Sequence, residues 1–475
     1  MIEKKLANGE IVTAYPLTQA QRFMYFVYNS YGKNLAVFNI STGYYWQGDF
    51  DTALMREALN EAIDRCDTMR LRFSPDKQFG LVQYLNKTAD VDFEEVDHSA
   101  MSYEESYNII KSWSKIGINF IESPLGVVKI MHLPDGYNGF YIKFQHLAFD
   151  GYSSKMFIAD VMAIYLHKKT GSPYPKPMKS YIEAMSKELA YLDSEERKKD
   201  RAYWMNHFAN STEPIFNDYL LDNRLYKQRK EYNDPNRRYV LMYEGEHPES
   251  LTLHYDVSAE DSKKILDVCA EKELSVPCVL MLGLRTALSA FNKNEQDVSF
   301  KLMLNRRSTL LEKKSAGNRW HLYTLRTIVP PEKSFSEAAM IVENEQNELF
   351  RHSSFDTLEM YHIKHMAMKM EKLEQTYDSL SFSYHAPIEV PYENEAIKAT
   401  TRGIWYNSDY SCQNLYLTVK HRASDNGFEF IFEYRVNENP KADLEIFYSK
   451  LIKSIMLGIE NPDMKMGEIL EEIKL

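Results

Sequence analysis

The chain has 475 residues, 44% hydrophobic and 26% charged, with a formal net charge of −11. That length exceeds one ordinary core, so about two or three packing units are expected, and the composition is globular rather than disordered. The acidic balance excludes general nucleic-acid binding, which needs a basic face for phosphates; the basic runs 197–201 and 227–230 read as solvated helix or loop faces.

The N-terminus "MIEKKLANGEIV" lacks the apolar run of a signal peptide, and no stretch is apolar enough for a membrane span. Cys66, Cys269, Cys278 and Cys412 are scattered without zinc spacing, so reduced thiols in a soluble cytoplasmic protein are expected, with no membrane partner. His362 and His365 stand at helical spacing but have no acidic or cysteine companion in register, so no metal site is assigned.

In chain order, "DFDTALMREALNEAIDRC" places Leu54, Met55, Ala58, Leu59, Ala62 and Ile63 on one helical stripe, with Asp51 or Thr52 as cap. "LRFSPDKQFGLVQYL" reads as strand, turn and strand, and "SYEESYNIIKSWSKIGINF" as an amphipathic helix. "LGVVKIMHL" and "GFYIKFQHL" alternate as the arms of a hairpin around "PDGYN". In "SSKMFIADVMAIYLHKKTG" Ser153 is the expected cap and Gly171 the stop of a helix.

The stretch from Gly171 to Tyr181 holds three prolines in eleven residues and is read as the crossing between lobes 1–175 and 176–475. Beyond it, "SEERKKDRAYWMNHF" is helical, and Glu213 to Ser250 is polar and tyrosine-rich, an excursion or hairpin. Then come a strand at "LTLHYDVS", helices near 259–272 and 276–291, and a strand at "DVSFKLMLNRR". A hairpin around "SDNG" and a helix near 444–457 close the chain. The alternation describes a two-lobed α/β protein.

The segment that carries chemistry is "YIKFQHLAFDGYSSKMF", where His146 precedes Asp150–Gly151 in the pattern H-x-x-x-D-G. A turn separates His146 from Asp150, which argues against a metal pair. A strand-end imidazole can take a proton near neutral pH, and a glycine amide can approach a developing oxyanion unobstructed. The other reading is a hydrogen-bonded histidine at a strand end. No G-x-S-x-G or reactive-cysteine context suggests a covalent acyl-enzyme.

The motif resembles the HHxxxDG of condensation domains of nonribosomal peptide synthetases, and the resemblance extends along nearly the whole chain. "YPLTQAQRFMYF" is similar to that family's N-terminal signature, and "RCDTMRLRF", with Arg65 and Arg70, to its RHExLRTxF. "MLNRRS", "GNRWHLYTLR" and "HSSFDTLEM" follow in the family's order. Gln145 stands where the first motif histidine is usual, Cys66–Asp67 replace His-Glu, Asn305 replaces the glycine before Arg306, and Trp320 falls where Phe-Val is usual.

The resemblance implies two chloramphenicol acetyltransferase-like lobes arranged as a V around an active-site tunnel. It implies amide-bond formation between a thioester-activated acyl donor and an aminoacyl group on a carrier protein. His146 and Gly151 are then catalytic, Asp150 supports the loop by pairing with Arg306, and Gln145, Arg65 and Arg70 lend further support. Trp320 and Ser383 are expected at substrate-binding positions. No cofactor is bound; substrates ride on phosphopantetheine or coenzyme A. The expected partners of a monomer are an acceptor peptidyl carrier protein and a donor acyl carrier, acyl-CoA or upstream carrier in trans. Tyr15 opens the first signature with only about a dozen residues before it, too few for a carrier domain, so the donor is expected in trans: either this is a starter type that attaches a fatty or other carboxylic acyl group, or a separate upstream protein delivers a peptidyl donor. Competing readings are an epimerisation domain, a CoA-dependent acyltransferase and a non-catalytic carrier-binding module.

Overall fold

The computed structural model describes residues 2–31, 35–91, 93–242, 248–372, 374–387, 400–422 and 425–475. Two compact units emerge. The first comprises Met1–Ser194, Asn305–His321 and Val390–Tyr410; the second comprises Glu195–Leu304, Leu322–Glu389 and Ser411–Leu475.

The first unit is built on a five-stranded sheet in the order Arg402–Trp405, Asn39–Gln47, Tyr137–Gln145, Gly126–His132 and Phe93–Asp97. The predicted hairpin is its centre: Gly126 pairs with Phe144 and His132 with Asn138, antiparallel. Helices Thr52–Arg65 and Gly151–Thr170 pack together and share the core with this sheet. The expected stripe on the earlier helix is buried at Met55, Ala58, Leu59, Ala62 and Ile63, and Asp51 caps it by accepting from the Leu54 amide. A second sheet joins Ile2–Lys5, Ile11–Pro16, Gly80–Leu85 and Leu71–Asp76.

The second unit is built on a six-stranded sheet in the order Ser250–Asp256, Phe428–Arg435, Leu415–His421, Ser381–His385, Asp297–Asn305 and Trp320–Ile328. Helix Val276–Phe291 is apolar nearly all round and packs against Phe335–Arg351 and Lys441–Glu460, so its hydrophobicity is that of a core helix. Among the described residues no single helix is long and apolar enough to cross a membrane. The expected hairpin forms from Leu415–His421 and Phe428–Arg435; within its turn, Ala423 and Ser424 lie outside the described residues. The polar excursion from Glu213 holds a short helix, Arg224–Glu231, and a two-residue strand, Val240–Leu241; its residues 243–247 also lie outside the described ones.

The chain does not divide at the proline-rich stretch 171–181. Prolines stiffen that segment, but it is laid along the first unit. Arg65 pairs with Asp160 and donates to the Tyr174 hydroxyl at 2.9 Å and the Pro175 carbonyl at 3.3 Å. Asp67 accepts from the Ser180 hydroxyl at 2.9 Å and the Tyr181 amide at 3.0 Å. The following helix, Tyr181–Tyr191, buries Tyr181, Ala184, Met185 and Glu188, and the break falls at Ser194.

Candidate active site

The central strand ends at Gln145, and the chain turns sharply before helix Gly151–Thr170 begins. The turn is held by Gln145: its backbone carbonyl accepts from the Ala148 and Phe149 amides, and its side-chain Oε1 accepts from the Leu147 amide at 2.7 Å. Gln145 is therefore a loop-forming residue, as a polar side chain beside a tight turn must be when it is buried. His146 stands just past the strand end, its amide donating to the Phe38 carbonyl at 2.8 Å. Its side chain is only half-buried.

The expected cap at the helix start is corrected. Asp150, not Ser153, is the N-cap: its Oδ1 accepts from the Ser153 amide at 2.8 Å. A carboxylate immediately ahead of the first helical residue reaches the amide that the shorter hydroxyl cannot cap from within the helix. Gly151 is consequently the first helical residue rather than part of a preceding loop. At the other end Gly171 closes the helix in the left-handed conformation, φ 73°, as expected.

The partner of Asp150 is Arg307, not Arg306. Arg307 Nη1 donates to Asp150 Oδ2 at 2.7 Å and Nη2 to Oδ1 at 3.1 Å, with both side chains almost wholly buried. Just past a strand end successive side chains point to opposite sides, so only one of two tandem arginines can face the aspartate. Arg306 faces the other way, donating to Gln19 Oε1 at 2.7 Å and lying 3.7 Å from Glu188.

The Asp150 network is filled on every side. Oδ2 also accepts the Arg319 amide at 3.0 Å. Ser153 Oγ lies 2.8 Å from both Asp150 Oδ1 and the Gly317 carbonyl, and accepts from Arg307 Nη2 and the Gly317 amide. Arg307 Nη2 reaches the Gly317 carbonyl too, at 2.7 Å. Gly317 is required here: its φ is +148°, and a Cβ would stand 2.6 Å from the Tyr181 ring. Burial alone would raise the Asp150 carboxyl, but the Arg307 charge and the Ser153 bonds outweigh it and hold the group below the usual carboxylate range.

His146 has the opposite surroundings. Among the described residues its Nδ1 has no hydrogen-bond partner, and its nearest ring is Trp320, edge-on with centroids 6.0 Å apart. Burial lowers its pKa, against the pull of nearby backbone carbonyls and of Asp150, so the imidazole is neutral at neutral pH. A Cβ on Gly151 would meet nothing within 4 Å, so packing does not demand glycine there. The first amides of the helix have no helical acceptor and carry its positive end.

The structure thus brings His146, Asp150, Gly151, Gln145 and Trp320 together. Arg65 and Arg70 serve the strap instead: Arg70 pairs with Asp67 at 2.7 Å, and Asp67 holds Ser180 and Tyr181. Ser383 lies in the second unit, on strand Ser381–His385, with the Tyr416 hydroxyl at 2.8 Å and the Thr418 hydroxyl at 3.3 Å. Sequence reasoning missed Arg307, Ser153 as a bridge, and Gly317. The tandem "RR" after a strand and the glycine opening "GNRW" were the signals present. Among the described residues no group of three or more His, Cys, Asp or Glu side chains is placed to hold a metal ion.

The condensation-domain family model matches residues 11–471, and the chain belongs to that family. It is 22% identical over 469 residues to surfactin synthase subunit 1 from Bacillus subtilis (strain 168) and 20% identical over 460 residues to bacitracin synthase 1 from Bacillus licheniformis. Each match takes in 96% of this chain but only 12% and 8%, respectively, of those relatives. Among solved structures, a starter condensation domain of rhizomide synthetase in complex with C8-CoA superposes with a TM-score of 0.77 at 17% identity, covering 96% of this chain and 97% of that one. The first condensation domain of the calcium-dependent antibiotic synthetase, in complex with a substrate analogue, gives 0.75 at 15%, covering 96% and 98%. The mixed α/β fold is that of these domains.

Proposed function

We propose that this chain joins a thioester-activated acyl group to the amine of an aminoacyl group held on a carrier protein. The carrying observation is a neutral, half-buried His146 without a polar tether on Nδ1 among the described residues, next to the N-terminal turn of helix Gly151–Thr170, which Asp150 caps at the Ser153 amide. The amine attacks the thioester carbonyl, the C–N bond forms, and the C–S bond breaks. The amine gives up a proton to the imidazole, which returns it to the departing thiolate. The Gly151 amide, at the positive end of the helix, faces the charge that develops on the carbonyl oxygen. Thioester aminolysis is already downhill, so the domain's work is positioning and help with one proton.

For the donor we favour a fatty acyl thioester carried on coenzyme A or on a carrier protein. What supports this is the fold likeness to a starter condensation domain whose solved complex holds C8-CoA. The acceptor is an aminoacyl carrier protein, and the chain acts in the cytoplasm. The test is intact-mass spectrometry of a loaded acceptor carrier offered acyl-CoA and acyl-carrier donors of graded length beside peptidyl-carrier donors. A chain-length optimum among fatty donors supports the reading, and turnover confined to peptidyl donors overturns the donor assignment. His146→Ala should lower product formation by about 10²–10⁴-fold with unchanged melting; activity within about twofold of wild type would favour a carrier-binding module.

A further inference from the structure

Gln145 occupies the position of the first motif histidine, yet its side-chain carbonyl is committed to the Leu147 amide at 2.7 Å. Its backbone carbonyl is committed to Ala148 and Phe149. Beyond the main-chain bond from its amide to Phe38, His146 has an imidazole whose Nδ1 lacks a partner among the described residues. The His146 and Phe149 carbonyls pull on the imidazole without a hydrogen bond to Nδ1 among the described residues, so a packing contact is what can hold the ring plane for an incoming amine.

Trp320 supplies such a contact. Its indole meets the imidazole edge-on, centroids 6.0 Å apart with 64° between planes, within the range that aromatic pairs prefer. It also packs against Phe23, centroids 5.3 Å apart and tilted by 40°. Its backbone is anchored as well: the Trp320 amide donates to Asn318 Oδ1 at 3.0 Å, and the preceding amide, of Arg319, donates to Asp150 Oδ2 at 3.0 Å. A continuous path therefore runs from the Asp150–Arg307 pair through residues 318–320 to the edge of His146. All of these residues lie in the first unit.

We propose that Trp320, backed by Phe23, is the positioning residue of His146, holding the imidazole plane and keeping water from its face. The indole does by packing what Gln145, spent on the turn, does not do by hydrogen bonding. This rests on the reading of His146 as the acting base.

The experiment reads the two roles apart. In Trp320→Ala, kcat should fall by between about tenfold and about a hundredfold, the cost of a misplaced reacting group, with KM moved by less than about twofold. The imidazole, opened to water, should titrate closer to the ordinary histidine value, so the acid limb of kcat moves to higher pH. Trp320→Phe should restore most of kcat and the original limb, and Phe23→Leu should shift both in the same direction by less. A change confined to KM or to donor chain length, with kcat and the acid limb unmoved, would overturn the proposal and leave Trp320 as a wall of the substrate site. The His146 titration is also followed by NMR, assigned with His146→Gln, in wild type, Trp320→Phe and Phe23→Leu. Trp320→Phe should keep the wild-type titration, and an unchanged titration in Phe23→Leu rejects the positioning role even if Trp320→Ala fails to fold. That readout does not depend on turnover, so it separates failure of this inference from failure of the proposed reaction.

Discussion

Four residues apart, Asp150 and His146 are treated by the fold in opposite ways. Asp150 is buried and met by donors from Arg307, Ser153 and Arg319 on both carboxylate oxygens. His146 is half-buried, and its Nδ1 is without a partner among the described residues. A buried charge is tolerable only when paired and fully hydrogen-bonded, and once it is, the surrounding loop has one arrangement. A group that must exchange a proton with a substrate is better left untethered and neutral. On the proposed reaction, the difference separates a part that holds from a part that acts, and each can be broken without the other.

The largest expected effect falls on the holding part. Arg307→Ala leaves the buried Asp150 charge without its counter-ion, held only by the Ser153 and Arg319 donors, a change that costs about 3–5 kcal/mol in comparable buried pairs. Denaturant unfolding should show that loss, while Arg306→Ala should lose clearly less, because its charged neighbour Glu188 keeps Arg319 as a partner at 3.3 Å and Arg306 is the more exposed of the two arginines. Equal losses would mean that the two arginines share the aspartate.

Gly317→Ala comes next. The alanine must take a backbone conformation that costs about 1–3 kcal/mol and must displace the Tyr181 ring. A crystal structure or amide-exchange comparison should find the change centred on Gly317 and Tyr181, with the Asp150 network loosened. Normal stability would show that the strap helix moves aside freely.

The pH dependence of stability sharpens the same point. The Asp150 carboxyl titrates lower in the folded state than its ordinary value of 3.8. Its contribution is therefore complete above that value and is lost as pH falls through the lower, folded value. Wild type should lose stability in that acid window more steeply than Asp150→Asn, measured by urea midpoints across pH.

The smallest effect is expected from Ser153→Ala, which removes one bridging hydroxyl from a network with other members, about 1 kcal/mol. Activity should fall no further than the stability loss explains, because Ser153 touches the holding part only.

Much of the frame was readable in the sequence. The 3.6-residue stripe of Thr52–Arg65, the alternating arms around "PDGYN" and the stop at Gly171 are local patterns, and they fold as local patterns dictate. What escaped depends on direction rather than pattern. Choosing between Arg306 and Arg307 requires knowing which side of a strand end each leaves. Choosing Asp150 over Ser153 as cap requires knowing where the helix axis begins. The prolines of 171–181 looked like a linker because stiffness and exposure are alike in composition; only the bonds from Arg65 and Asp67 reveal a strap. His146 and Gly151 stand out as candidates by their spacing alone, whereas the contact between Trp320 and His146 joins residues 174 positions apart.

The proposed reaction requires the neutral His146 imidazole to be the acting base. The direct measurement is the pH dependence of single-turnover amide formation, laid over the NMR titration of His146 in the same protein. Burial lowers the imidazole below the ordinary 6.5, so the acid limb of the rate should fall below pH 6.5 and coincide with that titration. A limb that departs from the His146 titration, or a rate that stays flat through it, would contradict the account.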